Sequence, residues 1–234
     1  MDTPMDYAQF KRQMTAFKQE IYLETLAENR ASIRIKKEKT IVKNLEKIFT
    51  ATLKISNQKG FQAMSMRDLC QETGISLGAL YAYFAGKDDL LTMLQTQRRA
   101  FVRRMMEKEI QKHETPVDQL RAMIRTHLFL SETLQPWFYF SFMEAKNLEP
   151  KEKKEAIESD RYTENLLETI LARGQDQGCF HQLDIGLTAE VIKAMLQNWY
   201  LKRSKFRSRE VSVETYMTFV IQFIETNLGV TPDK

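Results

Sequence analysis

The sequence predicts an all-α protein with a three-helix N-terminal domain and a larger helical C-terminal one. Three observations point there. Glycines number eight and prolines five among 234 residues, while Leu, Met, Lys, Glu, Gln and Ala, all good helix formers, are plentiful. Apolar residues recur at three- and four-residue spacing, and no stretch alternates as a half-buried strand does. Between Ser65 and Leu91, two short amphipathic segments flank a tight turn containing Gly74, the layout of a helix-turn-helix unit. A hydrophobic content of 43% beside 28% charged residues is ordinary for a globular chain. No apolar run is long enough to span a bilayer and no signal-peptide core opens the chain. Cys70 and Cys179 show no ligand or redox spacing, so a reducing cytoplasm is the expected setting.

Residues 1–38 read as an extension. Phe10, Met14, Phe17 and Ile21 step by four, three and four, which predicts an amphipathic helix packed on its own subunit or a partner. Its other face mixes Lys11, Lys18, Glu20 and Glu24, unlike a membrane-surface helix. Arg30, Arg34, Lys36 and Lys37 follow, either as a basic arm or as an N-terminal prolongation of the next helix. That helix is expected from Lys39 to Gln58, with Val42, Leu45, Phe49 and Leu53 as its buried stripe and Ile41, Ile48 and Ile55 widening it. Gly60 ends it, and Phe61 and Met64 fold into the core. Ser65 caps the following helix, Asp68 favours its N-terminus, Leu69 is its apolar knob and Gly74 its C-cap. Ile75 is a buried hinge. Ser76 caps a second short helix, Leu77 to Phe84, with Leu77, Leu80 and Phe84 toward the core. The expected division is therefore 1–38, 39–85 and 86–234.

The second helix of such a unit enters the DNA major groove. Gly78, Ala79 and Ala82 are small enough for close approach, and Tyr81 and Tyr83 place phenols at the rim for phosphates. Ser65, Arg67, Ser76 and Leu77 complete the surface, and Lys87 adds a cation where the next helix begins. The formal net charge is +4, yet ten basic residues stand against two acidic ones between Arg30 and Arg67. Alone, a charge run marks a solvated face; beside this motif it suits phosphate neutralisation. In that setting the basic arm would follow the DNA backbone or dip into the minor groove.

From Thr40 to Leu91 the chain resembles the TetR family of bacterial transcriptional regulators. The family pattern G-[VI]-S-x-G-x-[LI]-Y-x-[YH]-F-x-x-K-x-x-L is met by Gly74, Ile75, Ser76, Gly78, Leu80, Tyr81, Tyr83, Phe84, Lys87 and Leu90. Ala79 stands where the family often has Thr, Gly86 where it has Ser and Cys70 where it has Ala, which removes one hydroxyl contact and leaves the fold intact. The resemblance implies a homodimer that binds a palindromic operator. It also implies an effector cavity among the middle helices and a signal carried by the long helix that leaves Lys87 and runs to about Lys112.

Further helices are expected from Pro116, Pro136 and Pro150, the last broken by Gly174 and Gly178, and then over Leu187–Ser204 and Val213–Leu228. Trp137-Phe138-Tyr139-Phe140-Ser141-Phe142-Met143 points apolar groups all round its helix, which reads either as core with dimer contact or as a pocket wall. The pocket reading takes Met123, His127, Leu134, Trp137, Phe138, Phe142, Leu167, Ile170 and Leu171, with a lipophilic effector. Val191, Ala194, Met195 and Asn198 make one apolar stripe on the last helices. Tyr216, Phe219, Val220 and Phe223 make the other, suited to a four-helix dimer interface. The run Lys202 to Arg207 reads as a solvated loop. No phosphate loop, nucleophile elbow or zinc-protease motif occurs, and the three histidines His113, His127 and His181 lack ligand spacing. No catalytic residue, metal or cofactor is expected. The reading is a ligand-responsive regulator, most simply a repressor released from its operator by the effector. The alternative is a DNA-binding adaptor whose C-terminal domain takes a protein partner.

Overall fold

Helix caps set most element boundaries. The computed structural model describes residues 5–30, 33, 35, 37–147 and 150–230, with the side chains of 15–20, 147, 150–152, 155, 156, 159 and 160 not described. Eleven α-helices follow in order among the described residues. They are α1 (Tyr7–Glu28), α2 (Glu38–Lys59), α3 (Met66–Thr73), α4 (Leu77–Leu80), α5 (Lys87–Ile110), α6 (Pro116–Thr133), α7 (Gln135–Glu144), α8 (Pro150–Asp176), α9 (Ile185–Leu201), α10 (Arg203–Ser208) and α11 (Val213–Leu228). Ser65, Ser76, Thr115, Asp184 and Ser212 each accept the backbone N–H three residues on, satisfying one of the donors a helix start leaves open. Gly74 and Gly229 close α3 and α11 at positive φ, 68° and 72°, where a side chain would be strained.

Contacts divide the chain into two compact units, Lys11–Phe101 with Pro136–Lys154, and Met1–Phe10 with Val102–Gln135 and Glu155–Lys234. The linear division expected from the sequence thus differs from the partition in space, because α1 and α7 share a unit with the helix-turn-helix.

In the first unit the buried stripe of α2 is Ile41, Leu45, Ile48, Phe49, Thr52 and Ile55, while Val42 and Leu53 are half-buried. Phe49 joins three helices: its ring lies 5.9 Å from Tyr22 of α1 and 6.2 Å from Trp137 of α7. Phe61 meets Phe140 edge-on at 5.6 Å, and Arg98 sits over the Phe138 ring at 5.4 Å. The all-round aromatic helix resolves into a definite face. Trp137, Phe138, Phe140, Ser141 and Glu144 are buried, while Phe142 and Met143 are exposed. Phe10, Met14 and Ile21 are buried along α1 as its periodicity predicts; the Phe17 side chain lies outside the described residues.

In the second unit α6 is the centre, buried from Leu120 to Ser131 on most of its circumference. Glu132 at its end accepts two bonds from Arg203, at 2.7 and 2.9 Å, and one from Trp199 Nε1 at 3.1 Å. Trp199 stacks on Phe206 and on Tyr216 at 5.0 Å each. The basic run expected to be a loop is therefore helix α10, pinned by buried Phe206 and by Arg203. Tyr7 joins this unit through its backbone N–H to Glu214 and its ring against Phe129. α8 runs unbroken past Gly174, where a Cβ would stand 1.9 Å from the Phe180 ring. Gly174→Ala is accordingly expected to displace that ring and cost about 1–3 kcal/mol; calorimetry showing an unchanged melting temperature would disprove this packing role.

Candidate DNA-binding surface

The surface is built on two hydroxyl caps and one left-handed glycine. Ser65 Oγ accepts the N–H of Asp68 at 3.2 Å, and the Asp68 carboxylate takes the N–H and hydroxyl of Ser65, each at 2.7 Å. Lys59 lies 2.8 Å from the same carboxylate. With Ser65, this cation holds the Asp68 carboxyl below the usual carboxylate range. Ser65 is thus spent largely on capping α3, leaving Arg67 as the exposed cation of that helix. Gly74 then turns the chain, and Ser76 Oγ accepts the N–H of Ala79 at 3.3 Å to start α4.

α4 is four residues long rather than eight. Its end tightens, with the N–H groups of Ala82 and Tyr83 reaching back only three residues to Ala79 and Leu80, as last turns often do. Two side chains stand on faces other than those expected. Tyr83, expected at the DNA rim, is fully buried, and its hydroxyl accepts from Asn44 of α2 at 2.7 Å. Burial pushes its phenol up from the ordinary tyrosine value, and it is a core residue. Leu77, expected toward the core, is 40% exposed beside Tyr81 at 46%. Leu80 and Phe84 are buried as expected, and Ile75 is half-buried. The outward face is then Leu77, Gly78 and Tyr81, flanked by half-buried Ala79 and Ala82.

Gly78 has no fold-level reason to be glycine. It lacks a positive φ, and a Cβ there would meet nothing within 4 Å. Glycine inside a helix costs up to about 1 kcal/mol relative to alanine, so a missing side chain at an open site fits the close approach of a second surface. Lys87 stands near by: its ammonium donates to the Gln62 carbonyl at 2.9 Å and lies 5.1 Å from the Phe61 ring centre. The fixed ammonium keeps two donors for an anion.

Of the basic arm, Arg34 and Lys36 lie outside the described residues. Arg30 donates to the carbonyls of Ile33 and Ile35 at 3.2 and 3.0 Å, and exposed Lys37 immediately precedes α2. The pocket residues separate. Met123, His127, Leu134, Leu167, Ile170 and Leu171 are buried in the second unit, whereas Trp137 and Phe138 are buried in the first and Phe142 is exposed. The His127 ring is 6.5 Å from that of Tyr200. On α7, Trp137 Nε1 and Ser141 Oγ are buried with no hydrogen-bond partner among the described residues, one turn apart. Sequence reasoning named Trp137 as a pocket residue but gave Ser141 no role, because a serine becomes informative only when its environment is known.

The last helices show two faces. Ile192, Lys193, Leu196 and Trp199 of α9 point inward, as do Val220 and Ile224 of α11. Val220 is fully buried within its own subunit, which corrects its assignment to the interface. Outward stand Leu187, Val191, Ala194, Asn198, Phe219 and Phe223, with Phe219 60% exposed and stacked on Phe223 at 6.2 Å. Met195 and Tyr216 are half-buried, the Tyr216 hydroxyl donating to the Met195 carbonyl at 2.7 Å.

Two family models match this chain. One, described as bacterial regulatory proteins of the tetR family, covers residues 48–94; the other, a tetracyclin repressor-like C-terminal domain, covers 113–220. The HTH-type transcriptional regulator BetI of Rhizobium meliloti (strain 1021) is 24% identical over 187 residues, 78% of this chain and 88% of that one. The fatty acid metabolism regulator protein of Bacillus subtilis (strain 168) is 23% identical over 166 residues, 68% of this chain and 84% of that one. The crystal structure of the transcriptional regulator FadR from Bacillus subtilis, in complex with stearoyl-CoA, shares the fold with a TM-score of 0.64. At 18% identity the match spans 78% of this chain and 98% of that one.

Two outcomes follow from the geometry. Gly78→Ala should leave the melting temperature equal or higher while weakening DNA binding; retained affinity would show that nothing approaches closely there. Phe219→Asp should convert a dimer into monomers, because a buried unpaired charge costs several kcal/mol. A sedimentation boundary still at the dimer position would place the interface elsewhere.

Proposed function

The chain belongs to the TetR family of bacterial transcriptional regulators, and from that premise we propose that it is a homodimeric repressor released from its operator by a fatty acyl thioester. It binds operator DNA and acts in the cytoplasm, and its work involves no catalytic step. Among the described residues, no helix is long and apolar enough to cross a membrane. The observation that carries the reading is the outward face of α4, with Gly78 open to approach and Arg67 and Lys87 alongside. Two such units in a dimer meet successive major grooves, about 34 Å apart.

The effector class is drawn from two relatives and from the packing. The Bacillus subtilis regulator is named for fatty acid metabolism, and FadR is seen with stearoyl-CoA. The second unit here has a tightly filled apolar centre in which Met123 and Leu167 are fully buried and Ile170 and Leu171 nearly so. A shallow surface depression lies beside Leu171, Phe180, His181 and Leu228. An acyl chain bound in this apolar unit would lower the affinity for the operator. α7 packs within the reading unit itself, Trp137 against Phe49 and Phe140 against Phe61, and it holds two buried hydrogen-bonding groups, Trp137 Nε1 and Ser141 Oγ, with no partner among the described residues. The adaptor alternative gains no support from the C-terminal family match.

The test is operator binding measured with and without saturated acyl-CoA of long and short chain. Affinity should fall by about tenfold or more, within the usual range of allosteric coupling. If no chain length shifts it by more than about twofold, which is below that range, the effector class is wrong while the DNA-binding reading stands.

A further inference from the structure

Sequence is read in the major groove by side chains that reach base edges, and the outward face of α4 offers few that are polar. From Leu77 to Ala82 the residues are Leu, Gly, Ala, Leu, Tyr and Ala. Leu80 is buried. Only Tyr81 carries a hydrogen-bonding group, and the hydroxyl of the preceding Ser76 already accepts the N–H of Ala79. What remains outward is Leu77, 40% exposed, on the same face as Tyr81 one turn later. Because Leu77 contributes little to the core, its exposed methyls need another explanation, and the open space at Gly78 between them lets the helix press close.

The major-groove edges are hydrogen-bonding atoms with one apolar exception, the C5-methyl of thymine. Resting on the reading of α4 as the groove-entering element, we infer that this protein selects its operator by thymine methyl groups, with Leu77 as the residue that reads them. An aliphatic side chain pressed on a methyl buries apolar surface. The same side chain against the N4 amino group of cytosine strips that donor of water and returns no bond, so the wrong base is penalised as well as the right one favoured. Tyr81 extends the apolar contact with its ring and sends its hydroxyl toward the backbone.

The experiment begins with selection from a randomised duplex pool by the full-length protein, which defines the half-site. Single thymines are then replaced by uracil, which removes the methyl and keeps every hydrogen-bonding group. At one position per half-site the change should weaken binding about fourfold, and about sixteenfold when made in both halves, as burial of one methyl group predicts. Leu77→Ala should bind the thymine and uracil duplexes alike with an unchanged melting temperature, whereas Leu77→Met, which keeps the apolar reach, should still discriminate. The inference is overturned if uracil is accepted at every position, or if Leu77→Ala discriminates as strongly as the parent protein. A selection that enriches no sequence would instead remove the DNA-reading role of α4, and this inference with it.

Discussion

The Phe49 ring is the constraint on which the DNA-reading unit depends. It is reached by Tyr22 from α1 and by Trp137 from α7, segments far apart in the chain. Tilted aromatic pairs at this separation add roughly 0.5–1.5 kcal/mol each beyond the area they bury, and here they decide which helices belong together. A helix-turn-helix of one long and two short helices has a small core of its own. Adding α1 on one side and α7 on the other, with Phe61 against Phe140, enlarges that core with residues no linear reading of the motif would include. The same packing sets α7, the element richest in aromatic side chains, against α2 and the turn that follows it.

The fold was legible where local chemistry decides it. The caps at Ser65 and Ser76 and the turn at Gly74 stand where hydroxyls and a glycine announce them, and α11 begins at Val213 and ends at Leu228 as its apolar spacing requires. The differences lie where the end of a helix tightens and where partners are distant in the chain. An ideal helix continued to Phe84 would put Tyr83 on the surface. The three-residue hydrogen bonds after Ala79 swing it inward to Asn44 instead, while Leu77, at the start of α4, stands outward. Val220 and Phe219 are neighbours on an apolar helix, and only the position of α6 separates core from interface. The basic stretch at Arg203 looked solvated because its partner, Glu132, lies on a different helix. Such distant pairings leave no local signal in one sequence.

The least exposed charges of the second unit are paired. Lys193, 5% exposed, meets Glu164 at 2.7 Å, and Arg121 meets Glu225 at 2.5 Å. Buried pairs of this kind add little net stability but make one packing far better than its neighbours when either partner is lost. Such pairing fixes the registration of the helices, since apolar surfaces alone tolerate slippage.

The brevity of α4 has an evolutionary consequence. Four residues cannot hold a helix by themselves; α4 persists because Ser76 caps it and because Leu80, Tyr83 and Phe84 anchor it from behind. The outward positions take no part in that anchoring. Drift at those few sites is thus invisible to folding, and descendants of one gene can acquire new genomic addresses through a handful of substitutions while the scaffold beneath stays under its own separate selection.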